Sequence, residues 1–127
     1  IVRIVDHCDD MPAAYMLTDI VVSASTDPEA FGRVVIEAQS LGRPVIATAH
    51  GGAQETVIEN ETGWLVPPGD VDALAKRLDK VLNLTLKQRN ILSKKGIENV
   101  QKWFSKDKMC AKTLDVYNEV LTFKKTP

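Results

Sequence analysis

Residues 20–48 read IVVSASTDPEAFGRVVIEAQSLGRPVIAT, and their punctuation decides the fold. Ile20–Ser25 is a short run rich in β-branched residues, read as a strand. Thr26-Asp27-Pro28-Glu29 is turn chemistry. Phe31 to Leu41 reads as a helix, stopped by Gly42 and Pro44. Pro44-Val45-Ile46-Ala47-Thr48 is the next strand, with proline at its first position, where a missing donor does least harm. Both strands are continuous apolar runs rather than alternations, the pattern of a parallel sheet covered on both faces.

Working outward, Ile1–Val5 is expected to be another buried strand. Asp10 is a candidate N-cap and Pro12 suits the first turn of a helix running to about Thr18. Downstream, the loop His50-Gly51-Gly52 opens a short helix over Ala53–Ile58. Gly63-Trp64-Leu65-Val66 is a further strand, closed by Pro67-Pro68-Gly69. Asp70 then caps an amphipathic helix, in which Val71, Leu74, Ala75, Leu78, Val81 and Leu82 fall at offsets 0, 3, 4, 7, 10 and 11. Beyond residue 84 the pattern is helical, ending in an apolar stripe of Met109, Val116, Tyr117, Val120 and Leu121. Strands alternating with helices predict a single α/β domain, a Rossmann-like parallel sheet with helices on both faces, its core in residues 1–82 and its C-terminal helices in 83–123. Such sheets bind ligands beyond the carboxyl ends of their strands. The loops Ser25–Gly32 and Thr48–Gly52 should therefore share one edge.

The chain has 127 residues, 44% apolar and 26% charged, which fits one ordinary globular domain and excludes disorder as its main state. Sixteen basic against 17 acidic residues give a net charge of -1, so the balance does not advertise a nucleic-acid binder. Any polyanion must be met locally. Cys8 and Cys110 form no metal or redox spacing and are too few for a disulfide framework, which points to a reducing compartment. No apolar run approaches the roughly 18 residues of a membrane span, and IVRIVDHC is not a signal peptide. The chain does not open on Met and is expected to be a piece of a longer one.

Glu29–Glu37 carries the chemistry. Glu29 precedes a helix start, and Gly32 lies at its first turn, where no Cβ blocks a ligand's approach to the backbone. The free amides of Phe31, Gly32, Arg33 and Val34 make an anion site suited to a diphosphate. Glu37 lies roughly 9 Å further along the axis at 1.5 Å per residue. Phosphates would repel both acids, whereas each carboxylate can accept from two neighbouring hydroxyls. A molecule with hydroxyls at both ends of a diphosphate is a nucleotide sugar.

Taken in order, EAFGRVVIE (29–37), EAQSLGRPVIAT (37–48), HGGAQE (50–55), TGWLV (62–66) and PPGD (67–70) resemble the C-terminal donor-binding domain of retaining GT-B glycosyltransferases, more narrowly the group 1, family 4 class. The resemblance spans about residues 1–82. It implies the C-terminal half of a GT-B fold, truncated on its N-terminal side, that holds a nucleoside-diphosphate sugar for transfer to an acceptor hydroxyl with retention, in polysaccharide, lipopolysaccharide or glycolipid biosynthesis. Position by position it implies that Glu29 is catalytic and accepts hydroxyls of the donor sugar. Ala30 lies beside the donor, the amides of Phe31 and Gly32 touch the sugar, and those of Arg33 and Val34 hold the diphosphate. Glu37 takes the ribose, Cys8-Asp9-Asp10 lie against the nucleobase, Gly51 and Gly52 approach the donor, and Glu55 closes that loop. No cofactor and no metal is implied. Ala24 stands before Ser25 where the family commonly has proline, which alters loop stiffness. The family's basic pair and its acceptor-binding domain lie upstream of Ile1, so Arg3, Arg33, His7 and His50 receive no such role. The chain should hold half an active site and be inactive alone, in a cytoplasmic enzyme that can sit at the inner membrane face.

Plainer readings stand beside these. Glu29 and Glu37 could be a solvated pair; a facing glycosidase pair needs a separation that this spacing does not supply. Gly51-Gly52 could be only a turn, and Gly42 reads as a helix stop. Phe31 is expected to pack its ring inward, and Trp64 and Trp103 to pack in the core or at its rim. The lysines of Lys87–Lys95 read as a solvated face, with a membrane-surface role as the alternative. Other functions open on the same architecture are a sugar-nucleotide epimerase, a phosphorylase or a non-catalytic nucleotide-binding module. No G-x-G-x-x-G follows a strand, which disfavours a dinucleotide dehydrogenase.

Overall fold

A computed structural model describes residues 2–123. Its elements are α1 (Met11–Met16), β1 (Val21–Ser23), α2 (Arg33–Ser40), β2 (Val45–Thr48), α3 (Ala53–Thr56), β3 (Trp64–Val66), α4 (Val71–Leu82), α5 (Leu86–Trp103) and α6 (Lys106–Phe123). The three strands form one sheet in the order β1-β2-β3, and both pairings are parallel. Val21, Val22 and Ser23 face Val45, Ile46 and Ala47 across one ladder. Ile46, Ala47 and Thr48 face Trp64, Leu65 and Val66 across the other.

The apolar run of β2 is explained by its place: it is central, and all four of its residues are buried. Alternation across the strand sends Val45 and Ala47 into a cluster with Tyr15, Val35, Ala38 and Val57, contributed by or following α1, α2 and α3. Ile46 points the other way, to Trp64, Val66, Val81 and Leu92 of β3, α4 and α5. Burying such a side chain contributes about 1.5–3 kcal/mol, so β2 ties the two layers together. The helix starts follow the sequence cues. Asp10 accepts from the Ala13 amide at 3.0 Å, Asp70 from Ala73 at 2.8 Å, and Thr85 forms a reciprocal capping box with Gln88.

α5 passes from the α4 layer to α2. Gly96 lies against the backbone of Gln39, and Asn99 donates to the Thr56 carbonyl at 3.3 Å. Gln39, fully buried, donates to the Thr56 and Thr62 carbonyls and to the Thr62 hydroxyl. That polar cluster fastens α2, α3, the turn before β3 and α5 to one another.

Several expectations are corrected. Residues 2–5 form no strand, and Ile1 lies outside the described residues. Val2, Ile4 and Val5 are 91%, 95% and 79% exposed. A strand exists only where a neighbour completes its hydrogen-bond ladder, and no described strand pairs with this run. β1 is shorter than Ile20–Ser25. α2 starts at Arg33 rather than Phe31, because Gly32 adopts a left-handed conformation (φ 68°) that a helix cannot include. Phe31 is 44% exposed rather than packed inward, and its ring meets Phe104 at 6.1 Å between centroids. Trp64 is buried as expected, whereas Trp103 is half exposed with Lys102 over its ring. The α6 stripe of Met109, Val116, Tyr117, Val120 and Leu121 is exposed throughout. Among the described residues no helix is long and apolar enough to cross a membrane.

Gly42 ends α2 as read, with φ 68°, and it serves a second purpose. A Cβ there would lie 2.1 Å from Ser93 Oγ on α5. Gly42→Ala should therefore cost more than the ~1–2 kcal/mol of a left-handed alanine. In a Ser93→Ala background the cost should fall toward that range. Denaturant titration of the four proteins checks this; a cost unchanged by Ser93→Ala would show that α5 yields to the methyl group.

Candidate functional site

Because β1 and β2 are adjacent and parallel, the loops that leave them emerge on one edge, as expected. The β2 loop is pressed onto the β1 loop backbone to backbone. The Gly52 amide donates to the Glu29 carbonyl at 3.1 Å. A Cβ at Gly51 would lie 2.0 Å from that carbonyl oxygen, and one at Gly52 would lie 2.3 Å from the Phe31 oxygen. Only glycine fits at either position. The structure thus gives both glycines a reason within the protein, the neighbouring loop. A second clamp lies below: the Thr48 hydroxyl and His50 Nε2 each donate to the Ser25 carbonyl at 2.8 Å. A carbonyl only accepts, so Nε2 carries the proton of His50. Neither histidine stands free: His7 pairs with Asp9 at 2.9 Å.

Held this way, the β1 loop delivers Gly32 as the N-cap of α2. Glycine has no side chain to cap the first amides; its carbonyl accepts from the Val35 amide at 3.1 Å. Among the described residues no protein acceptor takes the amide hydrogens of Phe31, Gly32, Arg33 or Val34. α1, α4 and α5 have their starts closed by Asp10, Asp70 and Thr85, and this one is open. The open amides and the helix dipole, equivalent to roughly half a positive charge, make it a site for an anion. Glu29 stands beside it, with Oε2 3.5 Å from the point where a Gly32 Cβ would be. Glu29, Gly32, Ser25 and His50 all line one narrow hollow between the strand ends.

Glu37 lies one helical stretch deeper. The Tyr15 hydroxyl donates to its Oε2 at 3.1 Å, and Arg33 Nη2 meets its Oε1 at 2.8 Å, an i,i+4 pair on α2. The carboxylate is 35% exposed and lines a cavity of about 580 Å³ together with Asp9, Met11, Tyr15, Arg33 and Ser40. Of the residues expected to meet a nucleobase, Asp9 reaches this cavity. Asp10 is occupied as the α1 cap, and Cys8 is half buried outside the lining. Ala30 and Glu55 are exposed. The structure therefore groups Asp9 with Glu37, and Glu29 with Gly32, with Arg33 following directly on Gly32.

Tyr15 was not legible as a site residue. Burial raises its pKa above the ordinary 10.0, and the hydrogen bond to Glu37 and that carboxylate's charge raise it further; Arg33 offsets this in part. The only available signal was a tyrosine on a short helix after the Asp9-Asp10 loop, and nothing in spacing says that α1 packs on α2.

The family profile described as Glycosyl transferases group 1 matches residues 2–99. The chain is 34% identical over 120 residues to the capsular polysaccharide biosynthesis glycosyltransferase CapM of Staphylococcus aureus, covering 94% of this chain and 31% of CapM. A glycosyltransferase of Rickettsia africae superposes with a TM-score of 0.86 at 37% identity, over 94% of this chain and 31% of that one. HepE of Anabaena, solved in complex with UDP-glucose, gives 0.69 at 32% identity over 74% and 26%. The chain spans 19–31% of the length of the curated relatives heading its matches.

The Tyr15 contact yields a test. Tyr15→Phe should cost ~0.5–1.5 kcal/mol at neutral pH, the net worth of one hydrogen bond. With its folded pKa raised, Tyr15 keeps its proton while the unfolded chain releases one, so the folded state loses stability as pH rises above about 10. Tyr15→Phe should remove that part of the decline. Denaturation midpoints at neutral and alkaline pH check it; parallel alkaline declines in both proteins would sink the assignment.

Proposed function

The chain belongs to the group 1 glycosyl transferases, and from that premise we propose that it forms the donor-binding part of a retaining, family 4 enzyme that takes a nucleoside-diphosphate sugar. The carrying observation is the uncapped start of α2, set between Glu29 and Glu37. The diphosphate lies on the amides of Arg33 and Val34, with Phe31 and Gly32 beside the sugar. HepE's complex with UDP-glucose supports that class of ligand.

Glu37 takes the ribose in this reading. A carboxylate offers about four lone-pair sites; Tyr15 and Arg33 occupy two of them and fix the group's orientation, so two remain for the vicinal hydroxyls. Asp9, across the same cavity, lies where the base would extend, its loop contributing backbone groups. Glu29 accepts sugar hydroxyls and fixes the ring over the helix mouth. In the reaction the bond between the anomeric carbon and the diphosphate oxygen breaks, and its electron pair stays on the leaving group. The acceptor oxygen forms the new bond on the same face, and its proton passes to the freed diphosphate oxygen. Amides oriented before the reaction stabilise the growing negative charge without having to turn. Capsular polysaccharide biosynthesis, the role that CapM's name carries, supports an acceptor among envelope glycans.

Titration with UDP- and GDP-sugars, followed by amide chemical shifts, should perturb Phe31–Glu37 first; shifts clustering elsewhere while that segment stays silent would overturn the reading. Glu37→Ala should weaken nucleoside-diphosphate binding about tenfold or more, the loss of charged hydrogen bonds. Glu29→Ala should leave the bare nucleoside diphosphate nearly unaffected and weaken the sugar nucleotide, as calorimetry with both ligands would read. Equal effects of the two variants on both ligands would sink the division of roles.

A further inference from the structure

Phe31 is the one aromatic side chain of the β1 loop. It has no seat in either core cluster, and its ring stands half exposed beside the helix mouth. The neighbour that covers it is Phe104, far on in the chain. The two rings are inclined by 56° with their centroids 6.1 Å apart, a tilted arrangement in which the edge of one ring is attracted to the face of the other.

Phe104 is firmly placed to hold a neighbour. It is the half-buried C-cap of α5, and its amide donates to the Val100 carbonyl at 2.9 Å. Only Phe104 and Ser105 separate α5 from α6. The Ser105 hydroxyl accepts from the Lys108 amide at 3.3 Å and its carbonyl from Met109 at 3.0 Å, so the junction has no slack. Upstream, α5 is fastened to α2 and α3 through Gly96 on Gln39 and Asn99 on the Thr56 carbonyl. Phe104 thus carries the rigidity of a packed helix to a loop that lies far from it in sequence.

The backbone of Phe31 is held as well. Its carbonyl oxygen is pressed against Gly52, where a Cβ would come within 2.3 Å. The peptide between Phe31 and Gly32 is trans, and a trans peptide points its N–H away from its C=O. The Gly32 amide is thereby turned away from Gly52, and no described acceptor takes it. Carbonyl and ring are two handles on one residue, and together they fix the plane of a peptide that offers its N–H to an anion.

We propose that Phe104 is a positioning residue of the donor site: through the ring of Phe31 it fixes the Phe31–Gly32 peptide and so the first amides of the mouth. Its effect on the ligand rests on reading the mouth as a nucleotide-sugar site; its hold on the peptide does not. With the Phe104 ring gone, the carbonyl handle alone remains, and order lost in the free protein has to be restored on binding. An aromatic pair is worth about twofold to tenfold in an equilibrium.

The test uses the 127-residue chain, with UDP-glucose and inorganic pyrophosphate as ligands, read by calorimetry. Phe104→Ala should weaken both about threefold to tenfold, and Phe104→Tyr, which keeps the ring, should restore most of the loss. Phe31→Ala keeps its amide and leaves α5 untouched, so it should give the same loss even if Phe104→Ala fails to fold. Because Phe104 acts through Phe31, the double variant should bind as Phe31→Ala does. Trp103→Ala, a half-exposed ring removed from the same junction, should change binding less than about twofold. In the ligand-free proteins, nitrogen relaxation should show the Phe31 and Gly32 amides losing order in Phe104→Ala while α4 keeps its own. Additive losses in the double variant, wild-type binding by Phe31→Ala, a Trp103→Ala loss as large as that of Phe104→Ala, or unchanged order at Phe31 and Gly32 would each overturn the proposal. A wild-type chain that binds neither ligand would overturn the donor reading instead, and the relaxation comparison would still decide whether Phe104 holds the peptide.

Discussion

The site depends on two peptide loops touching without side chains between them. Gly51 and Gly52 bring the β2 loop so close to Glu29 and Phe31 that a single methyl group would separate them, and the Gly52 amide fixes the contact by bonding the Glu29 carbonyl. That bond carries a consequence for α2. A regular helix extended backward would need the Glu29 carbonyl for the Arg33 amide. Gly52 has taken it, and Gly32 has turned left-handed. The helix therefore begins with donors that no described residue satisfies. An open helix mouth is here the direct result of a loop contact.

Electrostatics then sorts the neighbours of that mouth. Two carboxylates near a positive helix end would normally be drawn onto it as caps. Glu37 is held off by its own partners, Tyr15 from α1 and Arg33 one turn back. Arg33 therefore does two things at once: its amide faces the mouth, and its guanidinium keeps the nearest deep acid turned into the larger cavity. Burial and the adjacent carboxylate keep Tyr15 a donor well into alkaline pH, so the arrangement persists through any physiological range.

Most of the fold could be read from residues 20–48, because a parallel strand buried on both faces leaves a continuous apolar run and glycine and proline mark its ends. What failed was what depends on a partner. The run Ile1–Val5 has strand composition, yet composition supplies no ladder, and Val2, Ile4 and Val5 stand exposed. The apolar stripe on α6 does lie on a helix, as its spacing says, and no described side chain of α6 is buried. Within the site, Glu29, Gly32 and Glu37 were legible because a helix start constrains residue types over a short span. Tyr15 was not, since it reaches Glu37 across 22 residues of chain through packing of α1 on α2. Gly51 and Gly52 were legible as a close approach, but sequence could not say that the approaching surface is the loop next door.

Charge bears on how strongly the helix mouth could hold the proposed ligand. A nucleoside diphosphate carries two to three negative charges, and the dipole of α2 supplies roughly half a positive one. The first 70 residues contain Arg3, Arg33 and Arg43 as their basic side chains. Arg33 is engaged with Glu37, and Arg43 donates to the Thr18 carbonyl. Arg3 is exposed in the segment that forms no strand. Eleven acidic residues share the same half. Oriented amides can position a pyrophosphate with high geometric fidelity, but they cannot neutralise it in that surrounding. On the proposed reading the oriented amides supply the geometry of recognition, while Arg3, Arg33 and Arg43 leave most of the diphosphate's charge uncompensated.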